Sequence, residues 1–157
     1  MFSYNIPGRG IIHIEHLVLD LNGTIAVDGK IIPAVFPLLE QIQENLTVHI
    51  ITSDTFGSVE EQCQGLPFVI KKLSSGDHIR EKEEYVKTLG VHKVLAIGNG
   101  VNDARMLKNS ILSIAVIGRE GCAREALFNA QIIVQSIEDA LALVLNPQRM
   151  RATLRSY

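Results

Sequence analysis

The run His16-Leu17-Val18-Leu19 ends in Asp20 and is followed at once by Leu21-Asn22-Gly23-Thr24. A short apolar run closed by turn-forming residues is what a strand buried on both faces requires. It leaves an aspartate at the carboxyl end of that strand, where open α/β sheets bind ligands and carry out chemistry. The pattern recurs along the chain. Strands are predicted at 48–51, 67–70, 94–97, 111–116 and 132–134, with helical patterns between them near 57–63, 77–89, 102–108, 121–129 and 136–145. Such alternation is the mark of βαβ units and a mostly parallel sheet. A further helix starts near Pro33 and carries Val35, Leu38, Leu39 and Ile42 on one face. Ser136, with Asp139 three residues on, is an acidic variant of the capping box and opens the 136–145 helix.

Two hairpins decorate this plan. Tyr4-Asn5-Ile6 and Ile11-Ile12-His13-Ile14 flank Pro7-Gly8-Arg9-Gly10, so residues 1–14 read as an N-terminal hairpin forming an antiparallel edge. Ile25-Ala26-Val27 and Lys30-Ile31-Ile32 flank Asp28-Gly29, a dipeptide favoured in two-residue turns, and predict a small flap overhanging Asp20. Its Ile25, Val27, Ile31 and Ile32 are expected to be exposed on a monomer, which predicts a homo-oligomer, a dimer or tetramer. Residues 146–157 read as a basic C-terminal tail with Arg149, Arg151 and Arg155.

A length of 157 residues suits one domain, burying roughly 70% of the surface the unfolded chain exposes. The net charge of −2 provides no field for a polyanion, so nucleic acid is not an expected partner. No apolar run reaches membrane-span length, no leader pattern is present, and Cys63 and Cys122 have no CxxC context. A reduced, cytoplasmic protein is expected. His13, His16, His49, His78 and His92 have no defensible ligand spacing, so structural roles are expected for them.

Three more segments bear on chemistry. Val94-Leu95-Ala96-Ile97 runs into Gly98-Asn99-Gly100-Val101-Asn102-Asp103-Ala104, where the glycines admit backbone close to a phosphate or metal. The strand at 48–51 ends in Thr52-Ser53-Asp54, and Lys82 sits on the charged helix Arg80-Glu81-Lys82-Glu83-Glu84-Tyr85-Val86. Each has a plain alternative: Asp20 in a turn, Thr52 as a helix cap, Lys82 on a solvated face with Lys71, Lys72 and Lys87 as competitors. A dinucleotide loop at Gly98-x-Gly100 lacks its third glycine and has Asp103 where none is expected.

Taken in order, the four segments resemble those of the haloacid dehalogenase (HAD) superfamily over roughly residues 16–145. Asp20 to Thr24 resembles the nucleophile motif Asp-x-Asp-Gly-Thr. The 98–104 segment is similar to the Gly-Asp-Gly-x-Asn-Asp of P-type ATPases and related phosphatases, and Thr52-Ser53-Asp54 resembles their Thr-Gly-Asp. Lys82 matches the phosphate-neutralising lysine. The resemblance implies an α/β, Rossmann-like HAD fold with helices on both faces of the sheet. It implies Asp20 as the nucleophile that becomes an aspartyl phosphate, with Gly23, Thr52, Ser53 and Lys82 holding the phosphate. Mg2+ would sit on Asp20, Asn22 through its backbone carbonyl, Asn99 and Asp103, with Gly98, Gly100 and Asn102 in support.

Two residues depart from the pattern. In the superfamily's phosphatases an aspartate at the position of Asn22 serves as general acid and base, help worth about 10² to 10⁴ in rate that an amide cannot give. P-type ATPases carry threonine there and still form the aspartyl phosphate. Asn99 removes a carboxylate from a hard-cation site, so magnesium should bind weakly unless a phosphate supplies oxygens. About thirty residues separate Asp20 from Thr52, and about thirty more separate Thr52 from Lys82, which leaves no room for a cap domain. The expected function is a Mg-dependent phosphohydrolase or phosphotransferase acting on a phosphorylated substrate, at a site either open to a macromolecule or closed by a neighbouring subunit. The alternative is a catalytically inactive phosphoryl-binding or protein-interaction module. Asn22-Gly23 and Asn99-Gly100 are also pairs prone to deamidation, which would restore carboxylates with age.

Overall fold

The computed structural model describes residues 1–54, 57–74 and 76–157. In chain order it has the hairpin β1 (Phe2–Ile6) and β2 (Gly10–Ile14), then β3 (His16–Asp20), a small hairpin β4 (Ala26–Val27) and β5 (Lys30–Ile31), and α1 (Val35–Gln43). There follow β6 (Thr47–Thr52), α2 (Ser58–Gln62), β7 (Val69–Lys72), α3 (His78–Leu89), β8 (Val94–Gly98) and α4 (Ala104–Asn109). The chain continues with β9 (Leu112–Val116), α5 (Arg124–Asn129), β10 (Ile132–Val134), α6 (Ile137–Leu145) and α7 (Pro147–Leu154).

Six strands make one all-parallel sheet in the order β10-β9-β8-β3-β6-β7. On β3, Leu17 and Leu19 enter one apolar core and Val18 enters the other, as the two-residue period of a strand dictates. Val35, Leu39 and Ile42 of α1 and Ala140 and Leu141 of α6 complete the first core. Val86 of α3, Met106 and Leu107 of α4 and Ala126 of α5 complete the second. From β3 the chain moves outward to β6 and β7, then returns along α3 to β8 on the other side of β3. That reversal opens a crevice at the carboxyl ends of β3 and β8, the place where such sheets receive ligands.

Residues 1–14 form a hairpin, but not an edge of the sheet: β1 pairs with β2, and the outer positions belong to β10 and β7. The reason lies in its buried face. Tyr4, Ile6, Ile12 and Ile14 need an apolar cover that edge pairing would not supply, and α7 brings Met150 and Leu154 to the same core. The Tyr4 hydroxyl donates to the Val144 carbonyl at 2.7 Å. Glu15 alone joins β2 to β3; it donates to the Lys93 carbonyl and accepts from the Thr47 amide, each at 3.0 Å, which holds the hairpin at the amino ends of the strands. The basic tail is thus largely helical. The Asn146 side chain accepts from the Arg149 amide at 3.2 Å, and Pro147 sits in the first turn, where its missing N–H costs nothing.

Smaller shifts have equally local causes. β7 begins at Val69 rather than Pro67, which has no N–H for a ladder, and α5 begins at Arg124 because Gly121 takes φ +80°. In the β4–β5 hairpin Asp28 and Gly29 take φ of 51° and 78°, the left-handed pair a tight Asp-Gly turn uses. Two of the four aliphatics of that hairpin turn inward, while Val27 and Ile32 stay half-exposed. Ile25 and Ile31 are buried in the first core, held by α2, where Gln62 accepts from the Ile31 amide at 2.7 Å and donates to the Gly29 carbonyl at 3.0 Å. The patch expected to drive a dimer or tetramer is therefore reduced to the half-exposed Val27 and Ile32.

A half-buried polar chain runs beneath α3 at the margin of the second core. His16 Nδ1 lies 3.0 Å from His49 Nε2, and His49 Nδ1 lies 2.8 Å from the Tyr85 hydroxyl. Among the described residues no helix is long and apolar enough to cross a membrane.

Candidate active site

Asp20 ends β3 at the crevice, and the loops after β6 and β8 arrive beside it. A cleft of about 430 Å³ is lined by the polar residues Asp20, Asn22, Thr52, Ser53, Lys82, Asn99 and Asn102, and by Gly100. Leu73, Ile79 and Val101 add an apolar wall. The β4–β5 hairpin, expected to overhang this cleft, contributes none of these residues; Val27 lines a neighbouring cleft with Gly23 and Thr24.

Lys82 organises the floor. Its ammonium donates to Asp20 Oδ1 and Asp103 Oδ1, each at 2.7 Å, and to Asn102 Oδ1 at 3.0 Å. Placement on α3 two turns before its end aims this side chain inward beside Val86, four residues on. The rival lysines are elsewhere: Lys72 pairs with Glu60, Lys87 with Glu83 and Glu84, and Lys71 lies over the Tyr85 ring. Burial opposes the charge on Lys82, but the two carboxylates outweigh it and hold its pKa above the ordinary lysine value. For Asp20 the balance goes the other way. Burial first, then repulsion from Asp103, push its carboxyl up to about 7 against the pull of Lys82 and of a hydrogen bond from Thr24.

Asp103 lies behind Lys82 rather than in the cleft and is fully buried. Its Oδ1 meets Lys82, and its Oδ2 accepts from the backbone amides of Asn99 at 3.0 Å and Gly100 at 2.9 Å. Gly98 makes this packing possible, because a Cβ there would stand 2.5 Å from Asp103 Cγ. So Asp103, expected as a metal ligand, shapes the 98–103 loop and neutralises Lys82. Gly23, expected among the phosphate-binding residues, donates its amide to the Ala26 carbonyl at 2.9 Å. Thr52 is nearly buried; its oxygen accepts from the Asp54 amide at 2.9 Å, which leaves its hydroxyl hydrogen to turn towards the cleft, and Ser53 stands exposed at the rim.

Thr24 was not among the expected site residues. Its hydroxyl shares its one hydrogen between Asp20 Oδ2 and Asn99 Oδ1, each 3.1 Å away, and so joins the nucleophile loop to the β8 loop. Its signal was its place at the end of the Asp-Leu-Asn-Gly-Thr run. Leu73, Ile79 and Gly121 carried no comparable signal.

A magnesium ion would meet one carboxylate, Asp20, with one oxygen on Lys82 and the other near Thr24, plus neutral amide and carbonyl oxygens. Among the described residues no group of three or more His, Cys, Asp or Glu is placed to hold a metal. This donor set does not fit a resident magnesium ion, which is a hard cation that favours anionic oxygens.

An archaeal relative, uncharacterized protein MJ0073 of Methanocaldococcus jannaschii, is 47% identical over 73 residues, which are 46% of this chain and 78% of that protein. The chain belongs to the same family as MJ0073. No model of a known protein family matches it. Its fold is that of the HAD superfamily. A HAD subfamily III A hydrolase from Legionella pneumophila, 18% identical, superposes with a TM-score of 0.70 over 90% of this chain and 87% of that one. The 3-deoxy-D-manno-octulosonate 8-phosphate phosphatase of Moraxella catarrhalis, solved with magnesium, phosphate and its sugar acid, gives a TM-score of 0.65 at 17% identity, covering 89% and 90%.

Proposed function

We propose that this MJ0073-family chain is a phosphohydrolase or phosphotransferase that forms an aspartyl phosphate on Asp20. The observation that carries the reading is a carboxylate at the switch point of a HAD-fold sheet, open to a cleft and 2.7 Å from a buried ammonium. An Asp20 oxygen attacks phosphorus as the bond to the leaving group breaks. Lys82 screens the repulsion between two anions, and Thr52 and Ser53 donate to phosphoryl oxygens. Water then attacks the acyl phosphate and returns the Asp20 carboxylate. Exposed at the cleft, Asn22 can orient a leaving group or a water but cannot move a proton, so good leaving groups such as acyl phosphates suit the site best. The absence of a cap among the described residues leaves the cleft open to a large phosphorylated substrate. The amides at 22 and 99 favour a second reading, a phosphoryl-binding module without turnover.

Acyl phosphate and aryl phosphate assays with trapping of the phosphoenzyme test the first reading. Asp20→Asn should abolish labelling, and labelling of the native protein should rise with pH through about 7 as the Asp20 carboxylate forms. Asn22→Asp should raise turnover of poor leaving groups by about 10², with little gain for good ones. Phosphate binding without labelling at any pH would move the assignment to the second reading.

A further inference from the structure

Asn99 fastens three loops at once. Its Oδ1 lies 3.1 Å from the Thr24 hydroxyl, its Nδ2 donates to the Gly121 carbonyl at 3.1 Å, and its own carbonyl accepts from the Ala123 amide at 2.8 Å. Gly23 packs on the side-chain amide so closely that a Cβ there would overlap it. The loops after β3, β8 and β9 thus meet on one side chain, which is nearly buried. A carboxylate of the same shape does not fit these partners. One oxygen would face the Gly121 carbonyl, acceptor against acceptor, and a second negative charge would stand across Thr24 from Asp20. The other candidate cation ligand, Asp103, has both oxygens engaged by Lys82 and two backbone amides.

We propose that Asn99 is a loop clamp in place of a cation ligand, and that the pocket takes a phosphate-like oxyanion without a divalent cation, Lys82 giving up its hydrogen bond to Asn102 to donate to it. The second half rests on the phosphoryl reading above; the first does not. The amide at position 99 is then the working group of this site. The clamp exists to hold Thr24 against Asp20, and the cation that a carboxylate would recruit is replaced by an ammonium built into α3.

Two measurements on the full chain separate the halves. In thermal melts with chelator, Asn99→Asp and Asn99→Ala should each lower Tm by roughly 3–6 °C, and 10 mM magnesium should not bring Asn99→Asp back to the native value. Native-like stability of either variant in chelator, or full recovery of Asn99→Asp in magnesium, overturns the clamp. Inorganic phosphate titrated by calorimetry should bind the native protein with affinities within about threefold in chelator and in magnesium, and Asn99→Asp should stay equally unresponsive to the ion. A tenfold or greater loss in chelator, or a tenfold magnesium gain in Asn99→Asp, overturns the cation-free pocket while leaving the phosphoryl reading standing. No phosphate binding in either buffer overturns that reading and the cation-free pocket together, with the melts still deciding the clamp.

Discussion

Lys82 and Tyr85 lie three residues apart on α3, and each reaches a polar cluster of a different kind, buried under Lys82 and half-buried under Tyr85. Under Lys82 two carboxylates flank an ammonium, so the cluster is built from charges. Under Tyr85 two imidazoles and a phenol form a chain in which burial, and then the neighbouring His16, push His49 down to about 4, so that cluster is neutral. Both stand on the same face of the sheet, since His16, Val18 and Asp20 alternate with Leu17 and Leu19. What separates them is access. Asp20 lines an open cleft, whereas His49 is buried between His16 and Tyr85 and lines no part of that cleft. Charge is retained where a ligand can use it, and protons are arranged to cancel it elsewhere.

The hardest blow to that contrast is Lys82→Met, which leaves Asp20 and Asp103 buried without their cation. A loss of about 3–5 kcal/mol is expected in urea unfolding at pH 8, shrinking towards pH 6 as a proton takes over the neutralising role. A cost below about 1 kcal/mol would make the cluster no more than a surface-type ion pair. Next in size is the acid response of the neutral chain. His49 titrates near 4 folded and near 6.5 unfolded, so the unfolded state binds the proton first. Its contribution, of order 3 kcal/mol, is whole above about 6.5 and drains away as pH falls towards 4. Asp20, raised from 3.8 to about 7, does the reverse: the folded state binds its proton first, so its contribution grows as pH falls from about 7 towards 4. Replacing Asp20 by Asn should therefore steepen the acid loss, and adding His49→Gln should flatten it again. Equal slopes for the two variants would remove the neutral imidazole from the account.

The order of motifs along the chain placed Asp20, Thr52, Lys82 and the 98–103 loop at one end of a parallel sheet, because strand-end position is a local property of apolar runs and their breakers. What they touch is not local. Lys82 and Asp20 are 62 positions apart, and the partner that makes an amide fit at Asn99 is a carbonyl 22 positions on. Asp103 reads as a ligand in any pattern of acidic residues; only the two amides folded onto its Oδ2 assign it to the loop. The inward turn of Ile25 and Ile31 was hidden for a related reason. Two-residue periodicity says which aliphatics share a face but not whether a neighbouring helix, here α2 with Gln62, will cover it.

The smallest expected effect concerns ageing. Deamidation needs the next backbone nitrogen free to attack, yet the Gly23 amide is bonded to the Ala26 carbonyl at 2.9 Å and the Gly100 amide to Asp103 Oδ2 at 2.9 Å. Peptide mapping of aged protein should find both asparagines intact, more so Asn99, which is nearly buried, than Asn22, which is exposed. Aspartate accumulating at 99 while the protein stays folded would show that the charged cluster tolerates a further carboxylate, contrary to the contrast drawn above.

The β1–β2 hairpin and the helix α7 depend on each other, and protein synthesis separates them in time. The Tyr4 hydroxyl finds its acceptor 140 residues later, and the apolar face of β1 and β2 awaits Met150 and Leu154. At ordinary elongation rates of 5–20 residues per second, that face stays uncovered for roughly seven to thirty seconds on the ribosome. Nascent chains should therefore present a sticky hairpin until α7 has been made, and covering it is a task for that helix.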